Sequence, residues 1–335
     1  FRGKINLEPG ESMFWDIDLS CVTGAVDLIR EAPDGRPLCI YLPLVFPHLP
    51  FCVEEPWYSK IDRKKIPPRI PTPSDWSTRP LIEKGLFENY GMKGWSEERW
   101  RELKAVYYGM CSRTDHLVGM VIDALKKKGI WDDTLFMFFS DHGEYAGDYG
   151  LIDINQNTFE DSLTRVPLII KPPSCIVIKE KGERKELVEL LDIVATIEDI
   201  AHVSMPQDHF SKSLVPLLEG SVNHRDAVFS EGGRLPGELQ ACELEVGEAL
   251  VTQGQYYPRL KIQRSNGPEN GKAVMCRTKD FKLVSRVFEK SELYDLRKDP
   301  QELVNRIDDP AMANILIQMK DRVIKFFLET NRKRV

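Results

Sequence analysis

No apolar run in this 335-residue chain approaches the roughly 20 residues a membrane-spanning helix requires, so no stretch of it reads as one. Its first residues, FRGKINLEPG, lack the basic, apolar and small-residue zones of a secretory signal. Phe1 is not a start methionine, and the expectation is that the chain begins inside a longer gene product. Cys21, Cys39, Cys52, Cys111, Cys175, Cys242 and Cys276 are odd in number and scattered, with no C-x-x-C pair to hold zinc or run redox chemistry. They read as mostly reduced, structural thiols, which leans toward the cytoplasm without fixing a compartment. An excess of basic charge is also missing. The formal net charge is -6, which argues against nucleic acid or an anionic membrane as the main partner, so any anion site must be built locally. Internal repeats and low-complexity tracts are absent.

What is present is a globular composition, 42% hydrophobic and 29% charged, with helical and strand-like patterns in alternation. Val22, Val26 and Ile29 recur at helical spacing within Ser20–Arg30, and LCIYLPLV, Leu38 to Val45, reads as a buried strand running into PHLPF. The Pro- and Trp-rich stretch from Phe51 to Glu98 reads as a long surface excursion, with Trp57, Trp76 and Trp95 as stacking surfaces or as core. A helix is predicted over about Glu97 to Lys128, with Val106, Met110, Leu117, Val121 and Leu125 on one stripe and Gly129 as its stop. TLFMFF, Thr134 to Phe139, suits a central parallel strand, VPLIIK, Val166 to Lys171, a second one, and Leu187 to Ala201 an amphipathic helix.

After about Gly220 come short strand-like pieces, DAVFSEGG, AVMCRT, FKLVSRVF and ELYDL, and then a helix from about Met312 to Leu328 carrying Ile315, Met319, Val323 and Phe327. The fold class expected is α/β: a mostly parallel or mixed central sheet flanked by helices, with a smaller C-terminal antiparallel sheet plus helix. The division expected is residues 1–210 as an α/β catalytic domain, incomplete at its N-terminus, and 211–335 as an α+β subdomain, the change of texture falling between His202 and Gly220.

The stretch FFSDHGEYAGDYG, Phe138 to Gly150, stops an oily strand at an acid, a histidine and a glycine. Functional groups of such sheets collect beyond the carboxyl ends of their strands. Asp141 and His142, adjacent on a turn that Gly143 permits, are able to share one divalent ion; the four residues fit a capped turn equally well.

Wider context narrows the choice. SDHGEYAGDYGL followed by NTFEDSLTRVPLIIK resembles the metal-binding segment of the sulfatase family, within the alkaline-phosphatase-like superfamily. PHLPF, LLDIVATIEDIA with SKSLVPLLEG, and ELYDLRKDPQELVN resemble further motifs of that family in the same order, and GKINL, Gly3 to Leu7, resembles its G-K-W-H-L. The resemblance implies a sulfuric-ester hydrolase that uses one divalent metal, Ca2+ first, with Mg2+, Mn2+ or Zn2+ also compatible with a histidine ligand. It implies Asp141 and His142 as metal ligands, Lys4 as a sulfate-binding cation with Asn6 in place of the family's histidine, and His48 as a substrate contact or general acid. The implied substrate is a small-molecule or saccharide sulfate ester.

Two departures stand out. Ile154, Asn155, Gln156 and Asn157 occupy a region where the family commonly carries a lysine, so one cationic contact is lost or replaced by amides. The family's nucleophile, a Cys or Ser oxidised to formylglycine in C/S-x-P-x-R, has no match here, and the expectation is that it lies upstream of Phe1 together with the first metal aspartates. Phosphonate or phosphodiester hydrolysis on the same scaffold, and a degenerate binding protein, are the competing readings. Asp115 is expected to be a buried structural acid, Glu144 to brace the turn, Gly232–Gln240 to be a loop that could shape a pocket, and the Arg332, Lys333, Arg334 tail to be solvated.

Overall fold

The structure is a computed structural model that describes residues 1–155, 157–179, 181–238, 257–263 and 267–330. Cys242 and the Arg332, Lys333, Arg334 tail lie outside the described residues, as does the end of the Gly232–Gln240 loop. In chain order the helices are α1 (Ile17–Glu31), α2 (Trp57–Lys60), α3 (Leu81–Asn89), α4 (Glu97–Lys128), α5 (Asp161–Thr164), α6 (Asp192–Ala201), α7 (Val215–Leu218), α8 (Tyr257–Gln263) and α9 (Ala313–Thr330). The strands are β1 (Gly3–Lys4), β2 (Cys52–Val53), β3 (Phe136–Phe139), β4 (Leu168–Lys171), β5 (Val228–Gly232), β6 (Ala273–Arg277), β7 (Phe281–Arg286) and β8 (Glu292–Asp295). No helix among the described residues is long and apolar enough to cross a membrane, and none of the described cysteines is in a disulfide.

The fold is α/β with a C-terminal antiparallel sheet and helix. α4 forms where its stripe and its ends agree: Ser96 accepts a hydrogen bond from the Arg99 N–H, and Gly129, at φ 79°, closes the last turn in the left-handed region. Leu117, Val121 and Leu125 of α4 pack on Leu19, Val22 and Ile29 of α1, while Trp100, Leu103, Val106 and Met110 pack on Phe51, Val53 and Trp57. Asp16 caps α1 by accepting from Leu19 N–H, which starts that helix at Ile17, three residues before Ser20.

The strand pairings are mixed. β1 runs parallel to β2, whereas β3 pairs antiparallel with β4, in register from Phe136 opposite Lys171 to Phe139 opposite Leu168. Leu38–Val45 does not enter a ladder: its Ile40, Leu42 and Leu44 face the α1/α4 core while Cys39, Tyr41, Pro43 and Val45 face out. The alternation of a strand is there without a hydrogen-bonded neighbour. α3, inside the expected excursion, forms because Ile82, Glu83 and Leu86 are buried. Among its tryptophans Trp57 is core, and Trp76 and Trp95 pack on Phe87 and Trp100.

Asp115 is a correction: it is exposed on α4, one position past the inward-facing Arg113 and Thr114, and the buried charge on this stretch of helix is Arg113. On α9 it is Phe326 and not Phe327 that faces the sheet, stacked on Phe229 at 4.3 Å.

β5, β6, β7 and β8 form a four-stranded antiparallel meander in that spatial order, and α9 packs Met319 and Val323 against Leu283 and Leu293. Its other face meets the rest of the chain through Phe159, packed on Ala273, Met275 and Val284, and through charge. Arg79 is buried between Glu83 and Glu160, reaching Glu160 at 2.7 Å, Tyr294 Oη at 3.2 Å and the Glu302 carbonyl at 2.9 Å. Burial, opposed by Arg79 and reinforced by Glu160, pushes Glu83 well above the usual carboxylate range; Glu160 is held at about 2 because Arg79 and hydrogen bonds overcome its own burial.

Candidate active site

The PHLPF loop is set from beneath. Asp18, 1% exposed, accepts Val45 N–H at 2.7 Å and Phe46 N–H at 2.8 Å. The Arg113 guanidinium lies over the Phe46 ring at 4.9 Å, paired with Glu54 at 2.8 Å and donating to the Phe14 carbonyl at 2.7 Å. His48 then returns its N–H to Val45 O, and its Nδ1 lies 3.0 Å from Leu49 O. A ring held so carries its proton on Nδ1 and, when neutral, its lone pair on Nε2.

The second half is the turn after β3. Ser140 Oγ donates to His142 O, the His142 N–H to Asp141 Oδ1, and His142 Nδ1 lies 2.9 Å from Gly143 O, again leaving Nε2 the acceptor nitrogen. Gly143 N–H donates to Leu163 O at 2.7 Å and Glu144 N–H to Ser162 O at 3.1 Å. A Cβ on Gly143 would fall 2.0 Å from Ser162 O, so only glycine permits this approach. Glu144 braces the turn by accepting from Ala146 N–H, and burial, with repulsion from Asp153, pushes its carboxyl up to about 8.

The two halves meet. The rings of His48 and His142 stand edge to face with centroids 5.9 Å apart, and Asp141 Oδ2 lies 3.7 Å from His142 Nε2, its side chain open to solvent. Lys4 is elsewhere engaged: its Nζ pairs with Glu55 at 2.9 Å and sits 5.8 Å from the Tyr58 ring centre. Asn6 is exposed. Asp141 and His142 line a cavity of about 1480 Å³ with Asn155, Arg165, Arg184 and Arg277 among its walls. Asn155 is buried there with an Nδ2 that has no hydrogen-bond partner, while Asn157 turns away and donates to Glu269 O and Gly271 O. Gln156 lies outside the described residues.

Against known proteins, residues 15–203 match the family model described as Sulfatase, more than half of the chain, and residues 256–328 match that of the C-terminal part of N-sulphoglucosamine sulphohydrolase. The chain belongs to the sulfatase family. An arylsulfatase of Clostridium perfringens is 25% identical over 306 residues, covering 91% of this chain and 56% of its own length. Arylsulfatase K of Xenopus laevis is 29% identical over 312 residues, covering 86% and 52%. This sulfatase chain thus spans about half the length of those relatives. Among solved structures, the phosphonate monoester hydrolase of Agrobacterium radiobacter superposes with a TM-score of 0.75 at 25% identity, covering 98% of this chain and 64% of its own.

Sulfatases generally use a divalent metal. Asp141 and His142 fit one as a hard oxygen beside an imidazole nitrogen whose lone pair is oriented by the Gly143 carbonyl. They fit it as a pair only, since no group of three or more His, Cys, Asp or Glu able to hold an ion occurs among the described residues. Sequence reading passed over Asp18 and Arg113, the residues that set the His48 loop. Arg113 did leave a signal, a charged residue on the apolar stripe between Met110 and Leu117.

Proposed function

We propose that the protein containing this chain hydrolyses sulfuric esters, with His48 and the Asp141–His142 pair as this chain's share of the active site. The observation that carries the reading is the meeting of His48 with His142 beside Asp141, each ring tied by Nδ1 to a backbone carbonyl. Displacement at sulfur builds charge on the departing oxygen, so the reaction needs the sulfate oxygens held and the leaving alcohol protonated. His48, doubly protonated, keeps its Nδ1–H on Leu49 O and delivers the Nε2 proton to the leaving oxygen. Asp141 and His142 would hold part of a divalent ion's shell, Ca2+ by preference, and the bound ion would polarise the sulfate. The unpartnered amide of Asn155 suits a sulfate oxygen and lies within 154–157, the region where the family commonly has a lysine. Lys4 would join it on release from Glu55, with Asn6 beside it.

The chain contains no C-x-P-x-R or S-x-P-x-R, and the reading assigns the formylglycine nucleophile to polypeptide outside this sequence. Residues 1–210 are proposed as the catalytic part and 211–335 as the C-terminal subdomain. The proposed substrates are sulfated carbohydrates or aryl and alkyl sulfates. A second reading, phosphonate or phosphodiester hydrolysis, is favoured by the likeness to the phosphonate monoester hydrolase. Assay of the full-length protein with matched aryl sulfate and aryl phosphonate monoesters tests both: the proposal requires the higher kcat/KM on the sulfate, and preference for the phosphonate overturns it.

A further inference from the structure

Arg277 on β6, and Lys282 and Arg286 on β7, reach out of the C-terminal sheet and take hold of one short segment, 157–161. Lys282, fully buried, puts Nζ 2.8 Å from Phe159 O and 2.6 Å from Asp161 Oδ1, and also pairs with Glu302. Arg277 makes a bidentate pair with Asp161 at 3.1 and 3.0 Å. Arg286 donates to Asn157 O at 2.9 Å, and Glu302 accepts the Asp161 N–H at 2.7 Å. Charge-assisted, mostly buried bonds of this kind fix geometry because both partners are costly to leave unpaired.

The same segment continues through α5, whose Ser162 and Leu163 carbonyls accept the Glu144 and Gly143 N–H groups of the turn that carries Asp141 and His142. Gly143 packs its backbone directly on Ser162, so closely that an added Cβ would fall 2.0 Å from the Ser162 carbonyl oxygen. A displacement of Asp161 is therefore transmitted to the ligand turn through backbone contacts alone.

We propose that the C-terminal sheet holds the Asp141–His142 turn in its ligand-presenting shape through segment 157–163, with Arg277, Lys282 and Arg286 as positioning residues. Its consequence for metal binding rests on the proposed function; its structural part does not. Arg277, at the rim of the cluster, is the variant of choice because removing the fully buried Lys282 endangers folding. In the full-length protein without divalent ions, Arg277→Ala is expected to speed hydrogen exchange at the Gly143 and Glu144 amides by about tenfold or more, with α4 amides such as Val106 unchanged and Arg277→Lys intermediate. Titration with Ca2+ is expected to show affinity about tenfold weaker in Arg277→Ala and partly restored in Arg277→Lys. Wild-type exchange at Gly143 and Glu144 in the folded variant overturns the proposal, as does an equal acceleration across α4, which would make Arg277 a general stabiliser. Faster exchange confined to the turn, in a protein that binds no divalent ion at all, upholds the brace and sinks the metal reading instead.

Discussion

His48 and His142 come from loops far apart in the chain, and their rings meet edge to face at 5.9 Å with each Nδ1 on a backbone carbonyl. Each ring thereby keeps its Nε2 for other work, and the proposed function gives the two nitrogens different tasks, proton donation at His48 and metal binding at His142.

His48→Gln in the full-length protein is expected to lower kcat on an aryl sulfate by about 10²–10⁴ with little change in metal affinity, as loss of a general acid does. An aryl sulfate with a very acidic leaving alcohol needs less protonation and should lose less. Equal losses on good and poor leaving groups would remove His48 from the acid role.

Asn155→Asp places a carboxylate where an unpartnered amide lines the cavity of Asp141 and His142. KM for a sulfate ester is expected to rise about tenfold, equivalent to about 1.4 kcal/mol, because a carboxylate repels the sulfate where the amide does not. Asn155→Lys is expected to lower KM. An unchanged KM in both variants would take Asn155 out of the substrate's reach.

Gly143→Ala drives a methyl group into Ser162 O, so the turn must separate from α5. Overpacking of this kind costs about 1–3 kcal/mol. Urea denaturation should register that loss, and metal affinity should fall with it.

Arg113→Met strands the buried Glu54 carboxylate, and breaking such a pair costs about 3–5 kcal/mol. The double variant Arg113→Met, Glu54→Leu is expected to recover much of the stability. Its failure to recover activity along with stability would separate the pair's hold on the Phe46–His48 loop from its share of the core.

The pH dependence of stability should have two limbs around Lys282. Burial raises the Asp161 carboxyl, but Lys282 and Arg277 overcome that and hold it at about 2, below its unfolded value. Its contribution is therefore full above about pH 4 and lost as pH falls toward 2. Glu302 is pushed by burial, and by repulsion from Asp161, up to about 7 against the pull of Lys282. Its folded value exceeds its unfolded one, so that contribution is present below about pH 4.3 and lost as pH rises through 7. Glu302→Gln should flatten stability between pH 4.3 and 7, and Asp161→Asn should flatten the acid limb, both read from urea midpoints.

Much of this was legible in the residues. α4 announced itself because stripe, cap and stop agree, and the strand pieces after Gly220 became β5 to β8 because their turns and alternation agree. The Asp141–His142 turn was legible as a strand ending abruptly at an acid, a histidine and a glycine. What periodicity could not supply was partnership. The antiparallel pairing of β3 with β4, the unpaired Leu38–Val45 and the exposure of Asp115 depend on where neighbours lie and on a single position of rotation about a helix. The cations that grip segment 157–161 were invisible for the same reason: Arg277 and Lys282 look like solvated strand residues until Asp161, far away in sequence, is set beside them.

That grip also bears on how such a chain can be recombined. A chimera that joined residues 1–210 of this protein to a C-terminal sheet without counterparts of Arg277, Lys282 and Arg286 would leave Asp161 and the 157–159 carbonyls without these partners. A cassette that keeps these bonds on transplantation therefore carries Arg79, the 157–163 segment and the three sheet cations together.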